Sequence, residues 1–169
     1  MFKTKQQKNV TIFLLSIYTF LLIWLVLFKF RINFTKLDHI RNINLIPFHG
    51  SMVVNGRISL REIIYNVIVF IPLGIYTSMC KPYWSFVKRV IPSLGITLAF
   101  EILQYIFAIG ASDITDIIGN TFGGIVGILI YGLFHKIFKD KTINIINVIA
   151  SIVCILAISM LVLLQVVNM

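Results

Sequence analysis

The sequence predicts an all-α polytopic membrane protein, a helical bundle of about five transmembrane helices with one long connection between the first two. Three observations lead there. Of 169 residues, 59% are hydrophobic and 12% charged, and the mean hydropathy is +0.97, which excludes an ordinary soluble domain. The apolar residues fall in uncharged runs at Asn9–Phe28, Ile63–Cys80, Val90–Phe100 continued by Ile102–Ile109, Ile117–Phe134 and Thr142–Met169. Each run approaches or exceeds the ~20 residues that a bilayer-crossing helix needs. No repeat, low-complexity tract or Pro/Gly/Ser-rich linker divides the chain, so residues 1–169 read as one domain.

Span one, about 9–28, follows Lys3, Lys5 and Lys8 as a signal peptide would. Lys29, Phe30 and Arg31 stand where a cleavage site needs small residues, so the span reads as retained. The connection Ile32–Arg61 is long for so compact a chain, and such loops are often functional. Within it, Asn44-Leu45-Ile46-Pro47-Phe48 is apolar enough to lie at the membrane interface. Ser59-Leu60-Arg61-Glu62 has the capping-box pattern, with Ser59 as N-cap of span two, about 62–80. Pro72 inside that span kinks the helix and frees a carbonyl that neighbouring helices can satisfy.

Span three, about 90–109, is expected to end at Gly110, a favoured helix-terminating residue. Span four, about 116–134, carries Gly119, Gly123 and Gly127 at i, i+4 spacing, a stripe that lets span two or span three approach closely. Span five covers about 143–167.

The net charge of +9 does not point to nucleic acid in a chain of this kind, because basic residues here report topology. Lys3, Lys5, Lys8, Lys81, Lys88, Arg89, Lys136, Lys139 and Lys141 alternate correctly for one face, the cytoplasm. The connection between spans three and four has Asp113 and Asp116 and no Lys or Arg. The expectation is a cell-membrane protein with its N-terminus cytoplasmic and its C-terminus extracellular. The first connection, with Lys29, Arg31, Lys36, Arg41, Arg57 and Arg61, runs against that rule. Its cations read as contacts to lipid phosphates, or as a docking surface for an anionic envelope substrate in which Arg57 and Arg61 lead.

The residues that need a reason are Glu101, Gln104, Asp113, Asp116 and Asn120. An ionisable group at the centre of a membrane helix costs roughly 2.5 kcal/mol or more, and such groups are functional hypotheses by default. Glu101 and Gln104 share a helix face; they read either as a packing pair or as a proton donor, base or ligand. Glu101 would lie roughly 12 Å below the outer boundary, from the rise per residue. Asp113 fits the N-cap of span four and Asp116 its third position. Capping does not explain Asn120, one turn below Asp116, so Glu101, Asp116 and Asn120 converge with Asn66 as the leading candidate cluster. Glu101 and Asp116 are the candidate catalytic residues, and Asp116 and Asn120 the candidate ligands should a divalent cation bind; no metal or other cofactor is assigned. His39, His49 and His135 are scattered, and Cys80 and Cys154 are not placed to form a disulfide.

At these residues the chain resembles the VanZ-like family of small membrane proteins, over roughly Asn44 to Tyr131. The resemblance rests on Asn44-x-x-Pro47-Phe48, on Asn66-x-x-x-Phe70-Ile71-Pro72-Leu73-Gly74 and on Glu101-x-x-Gln104. It continues with Asp113-x-x-Asp116-x-x-x-Asn120-x-x-Gly123-Gly124-x-x-Gly127. Many relatives carry a second acidic residue beside the one matching Asp116, where this chain has Thr115, which weighs against a two-metal arrangement.

The resemblance implies a bacterial cell-envelope protein that lowers susceptibility to teicoplanin-type glycopeptides. Three readings follow. The first is a non-enzymatic factor whose outward polar cluster engages a lipid-linked wall precursor, a glycopeptide or a partner protein. The second is an intramembrane metal-assisted enzyme on a lipid-linked or phosphorylated envelope substrate, with Glu101 as acid/base and Arg57 or Arg61 orienting phosphate. The third is proton-coupled transport through Glu101, in a homo-oligomer. The first is favoured, because no nucleophile elbow or phosphatase signature supports catalysis. Membrane lipids are expected partners throughout.

Overall fold

The computed structural model describes residues 2–28, 42–48, 53–54, 57–58, 60–110 and 112–167. Five long helices dominate: α1 (Lys5–Phe28), α2 (Leu60–Cys80), α3 (Phe86–Phe107), α4 (Ile114–Phe138) and α5 (Thr142–Val167). In lipid no water is present to satisfy the backbone, so apolar runs of this length fold as helices that bond within themselves. Four helical stretches are long and apolar enough to cross a membrane, the last of them Ile114–Ser159, 46 residues in length. At 1.5 Å per residue that stretch would be about 69 Å long, against a hydrocarbon core of about 30 Å. It is divided by a 3-10 turn at Lys139–Lys141. There α5 folds back, so that Ile149 and Val153 share an apolar hollow with Ile130 and Phe134 of α4. The five expected spans are thus present as five helices, within a few residues of their expected limits.

Side chains such as Phe13, Phe20, Leu133 and Ile155 are more than half exposed on the outer faces of the bundle. A soluble protein would not tolerate so much contiguous apolar surface; a lipid solvent requires it.

The largest helix pairing is α2 with α4, and glycines make it possible. A Cβ at Gly123 would fall on the carbonyl oxygen of Val67, and one at Gly127 on that of Ile71. Gly124 faces the other way, and its Cβ would meet Ser93 of α3. Gly119, the first of the stripe, has only ordinary contact with Asn66 Cβ at 3.4 Å. Helix α2 continues through Pro72, and Tyr18 of α1 donates to the Val69 carbonyl in the preceding turn (2.9 Å). Phe70 packs edge-on against Phe100, with ring centroids 6.4 Å apart, tying α2 to α3.

Helix α3 differs from expectation at both ends. It begins at Phe86, because Ser85 caps it by accepting from the Lys88 N–H, and Arg89 folds back to donate to the carbonyls of Trp84 (2.9 Å) and Pro82 (2.7 Å). The charge of the first turn is thereby spent on the connecting loop. It ends at Phe107, and the left-handed cap is Ala108 (φ 53°, ψ 37°) rather than Gly110; the Ala108 N–H bonds back to Gln104 and Tyr105. Ser59, the expected cap of α2, lies outside the described residues, as do Lys29, Arg31, Lys36 and Arg41 and the histidines His39 and His49.

The two ends of the bundle are unlike. At one end α1 begins, α2 meets α3 and α4 meets α5. There Lys3 pairs with Asp140 (2.7 Å), which holds the Asp140 carboxyl below its ordinary range; Lys81 sits over the Trp84 ring, 5.4 Å from its centroid. At the other end a segment of the first connection returns to the bundle. Its strand β1 (Ile43–Asn44) pairs in parallel with β4 (Ser112–Asp113), and a small hairpin joins β2 (Val53–Val54) to β3 (Arg57–Ile58).

Candidate functional site

The polar residues gather at the end that carries β1 and β4, in two groups. The first is a knot around the start of α4. Glu101 lies six residues before the end of α3, yet its carboxylate accepts from the Asp113 N–H (2.9 Å), and its carbonyl from the Ser112 hydroxyl (2.8 Å). The connection between α3 and α4 therefore dips back to the level of Glu101, about 9 Å below the end of α3. Asp113 is the N-cap, accepting from the Thr115 N–H (2.8 Å) with one oxygen and from the Asn44 side-chain amide (2.9 Å) with the other. The Thr115 hydroxyl accepts from the Phe48 N–H (3.0 Å). Glu101, Asp113 and Thr115 are all buried. This knot clamps the apolar tip Leu45, Ile46 and Phe48, itself largely exposed, onto the bundle.

The second group surrounds a cleft of about 650 Å³ between α1, α2, α3 and α4, a size in the range of small-molecule sites. Its wall includes Arg61, Glu62, Tyr65 and Asn66 from α2, Gln104 from α3, and Asp116 and Asn120 from α4, with Leu25, Val26 and Val69 supplying an apolar side. The Asn66 amide donates to Asp116 (2.7 Å), the Asn120 amide to the Thr97 hydroxyl (2.9 Å), and the Gln104 amide to the Val26 carbonyl (3.1 Å). Each bond joins two helices, so the cleft is shaped by its own polar residues.

Of the sequence-predicted residues, Arg61, Asn66, Gln104, Asp116 and Asn120 meet around this cleft. Glu101 and Asp113 do not line it; they hold the entrance to α4 in place. Arg57 lies in β3, paired with Val54. Glu101 and Gln104 share a helix but serve different neighbours, one the α3–α4 connection and the other α1. Sequence reading assigned Glu62 to capping alone and passed over Tyr65, though both lie within one helical turn of Asn66. It also missed Thr97, whose signal was available: a polar side chain one turn before Glu101 in an apolar span. Among the described residues no group of three His, Cys, Asp or Glu side chains is placed to hold a metal ion. Asp116 and Asn120 nonetheless both line the cleft.

Comparison with known proteins adds three findings. A family model described as VanZ/LLP1 matches residues 15–135, a stretch that runs from α1 to the last turn of α4 and contains both polar groups. The chain is 42% identical over 133 residues to Protein VanZ of Enterococcus faecium, covering 78% of this chain and 79% of that one. No solved structure matches it.

Proposed function

The chain belongs to the VanZ/LLP1 family, and from that premise we propose that it lowers susceptibility to teicoplanin-type glycopeptides as a cell-envelope membrane protein. The cleft and the β1–β4 end face outward, and the N-terminus lies in the cytoplasm. One observation carries this reading: the polar cleft opens at the end of the bundle opposite the Lys3, Lys81, Lys139 and Lys141 end, and positive residues favour the inner side. Glycopeptides act on envelope precursors at the outer face, so an outward cleft is correctly placed to engage a precursor, the drug or a partner protein.

The test compares teicoplanin susceptibility of cells carrying wild-type, Asp116→Asn, Asn120→Ala or Glu101→Gln protein at equal membrane abundance. Asp116→Asn and Asn120→Ala lose protection, because both residues line the cleft. Glu101→Gln retains most of it, since the amide oxygen still accepts from the Asp113 N–H. Full protection in all three variants would leave the cleft without a role in resistance.

A further inference from the structure

Two buried oxygens on residues that line the cleft lack partners. Gln104 and Asn120 are 2% and 1% exposed, and Gln104 Oε1 and Asn120 Oδ1 have no hydrogen-bond partner among the described residues. Leaving such a group unsatisfied costs about 1–3 kcal/mol, so their persistence calls for a donor from outside the chain. For Gln104 the orientation is forced: its amide nitrogen bonds the Val26 carbonyl, which can only accept, so Oε1 is the atom left over.

The same cleft holds two further side-chain types, the phenol-bearing ring of Tyr65 and the guanidinium of Arg61, beside the carboxylate of Asp116. Planar amides, a carboxylate, a guanidinium and an aromatic ring together suit a ligand dense in hydroxyl groups, each of which donates and accepts. The volume of about 650 Å³ exceeds what a lone ammonium or water would fill. On the apolar side, Leu25, Val26 and Val69 offer a surface for a hydrocarbon stem.

We propose that the cleft binds the glycosyl headgroup of a membrane-anchored glycolipid, with sugar hydroxyls donating to Gln104 Oε1 and Asn120 Oδ1 and the lipid stem lying against Leu25, Val26 and Val69. This rests on the outward cleft proposed above and names its ligand class.

The experiment uses purified full-length protein in nanodiscs and follows thermal unfolding with a glucosyl-diacylglycerol, the same diacylglycerol without sugar, or the free sugar. A ligand that binds only the folded state raises its melting temperature with concentration. The glycolipid stabilises the wild type, while diacylglycerol and free sugar do so far less. Gln104→Met and Asn120→Leu, which remove the acceptors at similar volume, bind about tenfold more weakly, the loss of a net hydrogen bond. Equal stabilisation by unglycosylated diacylglycerol would overturn the proposal, and so would equal stabilisation by the free sugar. The wild-type comparison decides this even if a variant fails to fold. Glycolipid binding in a protein whose cleft variants leave susceptibility unchanged would sink the resistance reading and spare this one; the converse result would do the reverse.

Discussion

Glu101 was the residue that most needed a reason, and its reason is local. A carboxylate in lipid is tolerated where hydrogen bonds hold it, and Glu101 accepts from the Asp113 backbone N–H while Asp113 caps α4. The two residues therefore act in series on the same helix start. Glu101→Leu strands a buried N–H and is expected to destabilise the fold by about 1–3 kcal/mol. Asp113→Ala removes the cap at a cost of about 0.5–2 kcal/mol. Because the two share one network, the double variant loses less than the sum of the singles. Reversible unfolding in mixed micelles measures all three, and strict additivity would show that the knot is two independent contacts. The sequence exposed Asp113 as a cap because Asp before an apolar run is a local signal. It could not show Glu101 as its partner, because their meeting depends on a connection that doubles back. Proximity in sequence misled in the other direction for Gln104, whose i+3 spacing from Glu101 suggested a shared role. The end of α1 instead draws its amide to the Val26 carbonyl.

At the scale of elements, the pairing of α2 with α4 decides whether the cleft exists, since Asn66 and Asp116 meet only when those helices are in register. Without a hydrophobic driving force between helices in lipid, close backbone approach has to come from small residues. Gly123→Ala and Gly127→Ala each drive a methyl into a carbonyl oxygen of α2. Each is expected to cost about 1–3 kcal/mol, as overpacking does, and to weaken whatever the cleft binds. Gly95 and Gly132 have open space around a built Cβ. There alanine is neutral or stabilising by up to about 1 kcal/mol, from helix propensity alone. Thermal unfolding of the four variants separates packing from propensity, and a uniform loss at all four would refute this account of the stripe. That a helix packs closely on this stripe was legible in sequence, because i, i+4 glycines in an apolar helix have few other uses; that the partner is α2 and not α3 was not. The limits of α3 were not legible either: counting uncharged residues stopped at Arg89, whereas folding turns Arg89 back onto loop carbonyls and lets the helix start at Phe86.

For the whole molecule, nine of the basic residues agree with the fold on one end of the bundle, while Arg57 and Arg61 lie at the other, where the cleft opens. The basic residues assigned to one face by sequence lie at three separate places along the chain. The fold brings those places together: Lys3 with Asp140, and Lys5, Lys8 and Lys81 around one hollow. On the proposed reading that end lies in the cytoplasm, which would turn the cleft and the clamped Leu45–Phe48 tip toward the outside. The prediction is read by single cysteines introduced after Cys80 and Cys154 are replaced by serine. A membrane-impermeant thiol reagent applied to intact cells labels Ile46→Cys, at the largely exposed tip. It reaches Lys141→Cys, exposed in the turn before α5, only after the membrane is opened. The reverse pattern would invert the bundle and remove the cleft from the face where glycopeptides act. Labelling of both positions in intact cells would mean that the nine cations do not set a single orientation. In either case the hydrogen bonds that shape the cleft would stand unchanged. Its physiological side would not, because orientation rests on how charge meets the membrane and not on how the helices meet one another.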